Sequence, residues 1–131
     1  MDMEGALRAR LLAAAPVAAL VGARIYWEDR PQGSVLPAIT LSLPVDGRDQ
    51  HMGGFQSVRD VQLQVDVWAR SFAEKKALKE AVIAALTPAH TGNGIRFQAA
   101  TRIDALSLNE RVETQMIFRD MIRMALHFSS L

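Results

Sequence analysis

The chain contains no cysteine, which excludes disulfide frameworks, thiol nucleophiles and thiolate metal clusters. Aromatic residues are also scarce, at 6% of the composition, so few rings could stack on nucleic-acid bases. Neither charge sign dominates, because fifteen lysines and arginines stand against fourteen acidic residues and give a formal net charge of +1. A purely electrostatic partner, such as nucleic acid or an anionic membrane surface, is therefore disfavoured.

Long hydrophobic runs are missing as well. The longest mostly apolar stretch, Leu11 to Ala23, contains Pro16 and Gly22 and is shorter than the roughly 20 residues that span a bilayer. Asp2 and Glu4 stand where a secretory signal carries positive charge, so we expect a protein that is made in the cytoplasm and has no membrane segment. Half of the 131 residues are hydrophobic, which suffices for the core of one domain.

Motifs for catalysis and metal binding are equally scarce. The three histidines, His51, His90 and His127, are not spaced as metal ligands. Gly92 and Gly94 form a G-x-G that precedes a strand-like segment, so it lacks the helix N-terminus that holds phosphate. No serine stands in a G-x-S-x-G context, although a triad assembled in space stays open. We predict a protein that is not an enzyme and binds no metal, nucleotide or organic cofactor.

Two segments have the spacing of amphipathic helices. The first runs from about Met3 to Ala15 behind the N-cap Asp2, and a short apolar turn then leads to Gly22. The second begins at a capping box and ends before Pro88. We expect the charged residues on both helices to be solvated and one side of the second helix to be buried. The capping box is Ser71 with Glu74, the solvated residues are Arg8, Arg10, Lys75, Lys76 and Lys79, and the buried ones are Phe72, Leu78, Ala81, Val82, Ala85 and Leu86.

Alternation of apolar and polar residues predicts the strands, most clearly from Val58 to Ala69. The polar face of that strand ends in Trp68, so it must be covered either by another element of the chain or by a partner. Shorter predicted strands are 24–27, 38–43 (stopped by Pro44), 95–99, 101–108 and 118–128. The order of these elements predicts an α+β fold, a single domain over residues 1–131 with a mainly antiparallel sheet and two helices packed on one face.

Two polar loops are candidate interfaces. The segment Val45 to Phe55 contains three glycines, so we expect it to be mobile in the free subunit and ordered in an assembly. The segment Glu28 to Ser34 carries both charge signs. The alternative is that both are ordinary solvated loops. The candidate contact residues are Asp29, Arg30, Arg48, Asp49, His51, Gly53 and Gly54.

Four stretches together resemble a family of small proteins of tailed phages and prophages, the tail-completion, tail-terminator or head-to-tail joining proteins. They occur in the family's order, and the most specific is the strand ending in Val65 to Ala69 before a capped helix. The C-terminal third departs from the family, as does Lys75, which stands where the family often has a small apolar residue. The stretches are Ala6 to Leu12 leading to Ala19 to Tyr26, Pro31 to Gly33 with Leu36 to Thr40, Val61 to Ala69, and Ala77 to Leu86.

The resemblance implies a structural role without catalysis. A protein of this family docks on the end of a completed tail tube as a hexameric ring, stops polymerisation and offers a surface to the head connector. The implied partners are the tail tube protein, the head-connector protein and further copies of the chain, with no specific nucleic acid and no membrane. The implied location is the host cytoplasm during assembly and then the virion tail.

Balanced charge and the lack of a long heptad allow the free subunit to be a monomer whose self-contacts need the tail end as a template. The alternative function is that of a small prophage-encoded nucleic-acid-binding regulator, or of an enzyme with the same fold. Salt-sensitive binding to DNA would favour the regulator.

Overall fold

The computed structural model of the protein describes residues 2–31, 35–47, 50–51, 54–55 and 58–130. These residues form three helices and ten strands. The helices are α1 (Met3–Ala13), α2 (Ala15–Val21) and α3 (Phe72–Leu86). The strands are β1 (Ile25–Trp27), β2 (Ala38–Gly47), β3 (Gln50–His51), β4 (Gly54–Phe55), β5 (Val58–Ala69), β6 (His90–Gly92), β7 (Ile95–Phe97), β8 (Thr101–Ser107), β9 (Glu110–Val112) and β10 (Gln115–Ser130).

The main sheet is built around β10. One side of this strand pairs antiparallel with β5, and β7, β8 and β9 are its other antiparallel partners. The strand order is β1-β2-β5-β10-β7-β6, with β8 and β9 attached to β10 beside this path. Because β1 pairs parallel with β2, the sheet is mixed. The predicted α+β fold is therefore confirmed in part: the sheet is not purely antiparallel, and there are three helices where two were expected.

The predicted strand core is confirmed. Val61, Leu63, Val65 and Val67 are all buried, and the first three lie opposite apolar residues of β10. The buried side chains of α3 pack on the same cluster. Antiparallel pairing places directly opposed residues on one face, so this inner face of the sheet is continuous across β5 and β10. The opposed pairs are Val61 with Leu126, Leu63 with Met124, and Val65 with Ile122, and the helix contributes Leu78, Val82 and Leu86.

Pro44 does not end β2, contrary to the sequence-based prediction. The pairing of β2 with β5 shifts register between Ser42 and Val45, so that the segment around Pro44 forms a bulge. The other neighbour of β2, β1, reaches only as far as Leu41. Proline is tolerated at a bulge on an unpaired edge because its missing N–H leaves no ladder bond unmade. The strand therefore continues to Gly47.

The N-terminal helix is divided where proline requires it. α1 ends at Ala13, and Pro16 lies in the first turn of α2, where its missing N–H costs no helical hydrogen bond. Arg10 was expected to be solvated but is buried. Its Nη2 donates to the carbonyl oxygen of Pro88 at 2.5 Å, and its guanidinium lies 5.5 Å from the ring centroid of Phe97. Burial lowers the pKa of Arg10.

The N-cap half of the predicted capping box of α3 is confirmed, since Ser71 Oγ accepts a hydrogen bond from the Glu74 N–H at 3.2 Å. The Glu74 carboxylate accepts from the N–H of Arg70 at 3.0 Å, one residue before the N-cap. Two expectations for this helix were wrong. Phe72 is 62% exposed, because it lies in the first turn, before the stripe that faces the sheet begins. Lys75 is buried, because it precedes Leu78 by three residues and so falls on that same stripe.

Two short strands lie outside the segments that the sequence predicts as strands. β6 and β9 are formed by polar sequences, and each is fixed by pairing with a neighbouring strand and not by its own alternation. Among the described helices, none is long and apolar enough to cross a membrane.

The continuous inner face gives a first prediction. Val65→Ala should lower the free energy of unfolding by about 1 to 3 kcal/mol, because it leaves a cavity opposite Ile122. Urea denaturation followed by circular dichroism measures the loss. Gln62→Ala, on the opposite face of the same strand, is the control and should change the free energy by less than about 0.5 kcal/mol. A near-zero loss for Val65→Ala would mean that the phase of β5 is reversed.

Candidate assembly interface

Trp68 is covered by the chain's own residues, on the outer face of the sheet that carries no helix. Two guanidiniums lie over its ring, that of Arg30 at 4.6 Å and that of Arg119 at 4.5 Å from the ring centroid. The indole Nε1 donates to Thr40 Oγ1 at 3.1 Å. Stacked guanidiniums shield the ring while keeping their own charges hydrated. Of the two alternatives for this face, cover by the chain itself is therefore the one observed at Trp68.

Arg119 links this stack to a buried carboxylate. Its Nε and Nη2 both donate to Asp66 Oδ1, at 3.2 and 3.0 Å. Gln64 Nε2 donates to the other oxygen of Asp66 at 3.1 Å. The Asp66 side chain is only 9% exposed, and these donors offset the cost of burying it. The outer face is thus a fixed polar network.

The loop after β1 forms one wall of an open cleft over this network. The cleft has a volume of about 510 Å³, and Asp29, Arg30 and Pro31 line it together with Trp68 and Arg119. Asp29 is exposed, and Glu28 has a positive φ of 72°, an uncommon conformation for a residue other than glycine. The structure therefore places two predicted contact residues, Asp29 and Arg30, at one concave site.

The other predicted contact residues lie in the glycine-rich segment between β2 and β5. Arg48, Asp49 and Gly53 lie outside the described residues. His51 belongs to β3 and Gly54 to β4, and these two residues are paired in a small antiparallel ladder. Together with the extension of β2 to Gly47, this ladder replaces the structureless loop predicted for the described part of the segment.

A hydrogen-bonded chain of three side chains was missed by sequence reasoning. His127 Nδ1 lies 2.6 Å from Asp60 Oδ1, and His127 Nε2 lies 3.2 Å from Thr101 Oγ1. These residues are 67 and 26 positions apart, so no local spacing could have found them. A carboxylate, an imidazole and a hydroxyl in this order are the groups of a catalytic triad. However, the Asp60 side chain is 50% exposed, and catalytic groups of this kind work where water is excluded. We interpret the chain as a link between β5, β10 and β8.

A projecting ribbon is the other feature that the sequence did not predict. β9 and the first residues of β10 form a two-stranded ribbon, because β5 ends opposite Phe118. Leu106 at 49% and Val112 at 47% are among the few large apolar residues exposed on the described surface, and both belong to the β8–β9 edge. Exposed aliphatic residues on a strand edge are typical of a contact site.

The outer face contains two arginine pairs that differ in burial, which gives a second prediction. Arg119→Ala should destabilise the protein by about 2 kcal/mol or more, because it leaves the carboxylate of Asp66 buried without its cation. Arg123→Ala is the matched control on the same strand, since its pair with Asp104 is 43% and 58% exposed and is expected to contribute less than about 1 kcal/mol. Chemical denaturation of both variants measures the difference, and similar losses would contradict the assigned role of Asp66.

Comparison with known proteins identifies similar structures and a family. One solved structure that is similar to the chain belongs to the virion of a native gene transfer agent particle. That match has 26% sequence identity and a TM-score of 0.63, and it covers 97% of this chain and 95% of the other. A second solved structure, at 11% identity and a TM-score of 0.52, covers 99% of this chain and 97% of its own and shows the fold alone. No curated protein matches significantly.

The decisive match is to a family model described as tail completion protein gp17, which extends over residues 5–130. It includes the C-terminal third, where the resemblance read from the sequence was weakest. Together with the virion match it points to a structural protein of a phage-type tail and not to an enzyme. The resemblance is therefore confirmed, and the chain belongs to the tail completion protein gp17 family.

Proposed function

We propose that the protein caps the completed tail tube as a hexameric ring and provides the surface on which the head connector binds. The observation that supports this most strongly is the family match over residues 5–130. The similarity to a chain of a gene transfer agent virion supports a place in the assembled particle. Its partners are then the tail tube protein, the head-connector protein and further copies of this chain, which meet in the host cytoplasm.

The subunit has surfaces suited to this role. A closed ring needs two different contact surfaces on each subunit. The described part of the chain offers the cleft beside β1 and the exposed edge of β8 and β9. Both charge signs occur on each surface, which favours specific pairing over general attraction.

The alternative of a nucleic-acid-binding regulator is less well supported. On the outer face, Arg119 and Arg123 are engaged by acidic side chains, and Arg30 and Arg119 stack on Trp68. A basic groove that tracks a phosphate backbone would present cations without such partners. The arginines of this face are thus committed to the fold.

Removal of the gene from the phage or prophage that encodes the chain tests the proposal. We expect tails of uncontrolled length or tails that do not join heads, because nothing would then stop tube polymerisation or present the connector surface. Electron microscopy of the lysate measures tail length and head attachment, and the intact gene supplied in trans is the control. Virions of normal yield and length without the gene would refute the proposed function.

The glycine-rich segment is a second proposed contact, and it stays a prediction that it is mobile in the free subunit and ordered in the assembly. Deletion of Gly53 and Gly54 should leave the unfolding midpoint of the subunit unchanged, because Gly54 belongs to the small ladder of β3 and β4 and not to the main sheet. The same deletion should reduce completed virions, because it shortens the segment offered to a partner. An unchanged virion yield would remove this segment from the interface.

A further inference from the structure

We propose that the ring is closed by a contact between the outer edge of β9 in one subunit and the loop of residues 28–31 in a second copy of this chain. The inference rests on the proposed ring. It goes beyond it by naming the two surfaces, which no similarity to other proteins assigns.

The two surfaces lie on opposite sides of the subunit. The loop follows β1, the first strand in the order of the sheet. β5 and β8 both pair with residues 120–123 of β10, so β8 lies on the side of β10 away from β5. β9 continues β8 in register, since Ser107 pairs with Asp120 and Glu110 with Ile117. Opposite sides are what a head-to-tail ring requires.

The two surfaces also lie near the same end of the sheet. Arg30 of the loop lies over Trp68, whose Cα partner on β10 is Arg119. Glu110 is paired with Ile117, two residues away along the same strand. Two residues of a strand span about 7 Å. Neighbouring subunits related by rotation about an axis along the strands would therefore bring the loop and β9 to similar heights.

The charges of the two segments are complementary. The loop contains Asp29 followed by Arg30, and β9 begins with Glu110 followed by Arg111. In antiparallel approach, Asp29 of one subunit meets Arg111 of the next. Asp29, Glu110 and Arg111 are exposed, and none of the three forms an ion pair with another described residue of the subunit. This differs from the outer face, where Arg119 and Arg123 are paired within the chain.

Apolar area strengthens the contact. Leu106 is paired with Met121 and Val112 with Gln115. Met121 and Gln115 are an even number of residues apart on β10, so Leu106 and Val112 lie on the same face, on either side of Glu110. Among the described strands, β9 pairs only with β10, so its other edge has backbone groups open to a partner. A second copy would cover the aliphatic side chains and these backbone groups together.

The absence of cysteine allows a direct test by cross-linking. The full chain carrying both Asp29→Cys and Arg111→Cys is assembled into virions, and purified tails are treated with a short thiol cross-linker. We expect a ladder of covalent oligomers that ends at the closed ring, because each subunit then supplies one thiol to each of its two neighbours. The controls are the two single variants and the pair Asp29→Cys with Lys76→Cys, since Lys76 lies exposed on α3. Functional tails without a ladder above the level of the controls would refute the contact.

Charge reversal provides a second, independent test. Asp29→Arg alone and Arg111→Asp alone should each reduce the yield of completed virions by about tenfold or more, because each places like charges at the contact. The double variant restores the opposite charges and should recover most of the yield. Lys76→Glu is the control and should leave the yield unchanged, and thermal melting confirms that each subunit is folded. A double variant no better than the folded single variants would overturn the proposal.

These outcomes separate the contact from the proposed function. If removal of the gene leaves virions normal, the tail-capping role fails, and the contact fails with it. If removal damages tails while cross-linking and charge recovery both fail, the capping role stands and this contact alone is wrong.

Discussion

The pairing of β10 along both of its sides is the constraint on which the rest of the subunit depends. Sixteen residues of one strand bring together segments that are far apart in sequence, namely β5, β7, β8 and β9. Because side chains of a strand alternate between faces, this single pairing also separates the molecule into two chemical surfaces. The inner face is buried against the helices. None of the described helices lies over the outer face, which is left to carry polar networks and contacts.

The buried ion pair of Lys75 with Asp120 transmits this constraint to the helix layer. Lys75 Nζ lies 3.3 Å from Asp120 Oδ1 and donates to Ser107 Oγ and Asn109 Oδ1, at 3.0 and 3.1 Å. Asn109 Oδ1 also accepts from the backbone N–H of Arg119 at 3.1 Å. A buried pair of this kind contributes little net stability, but its geometry is demanding. Its structural effect is to fix the position of α3 relative to the connection between β8 and β9. The orientation of the two-stranded ribbon of β9 and β10 is thereby fixed as well.

The parts of the fold that could be predicted are those whose signal is local. β5 alternates over its whole length, and the capping box marks the start of α3 in four residues, so both were correct. Lys75 and Arg10 were misassigned because each side chain finds its polar partner far away in sequence, at Asp120 and Pro88 respectively. The hydrogen bonds of His127 were not predicted for the same reason, because Asp60 and Thr101 are also distant in sequence. At the candidate site, the mixed charges of Asp29 and Arg30 were visible in the sequence, whereas β9 depends on pairing that no short window contains.

The charged residues of the subunit fall into two groups, those that form ion pairs within the chain and those that are left for contacts in an assembly. Asp66 and Asp104 are engaged by arginines of β10, so the outer face is already satisfied in a single copy. On β9, Glu110 and Arg111 instead place opposite charges side by side along the chain, and neither forms an ion pair with another described residue. Neighbouring opposite charges cancel at a distance, so such a surface exerts little long-range attraction on a partner. Once two surfaces are in contact, the same charges favour one alignment of the two segments over the others. A contact of this kind is weak between free subunits and becomes selective once an assembly holds the subunits side by side.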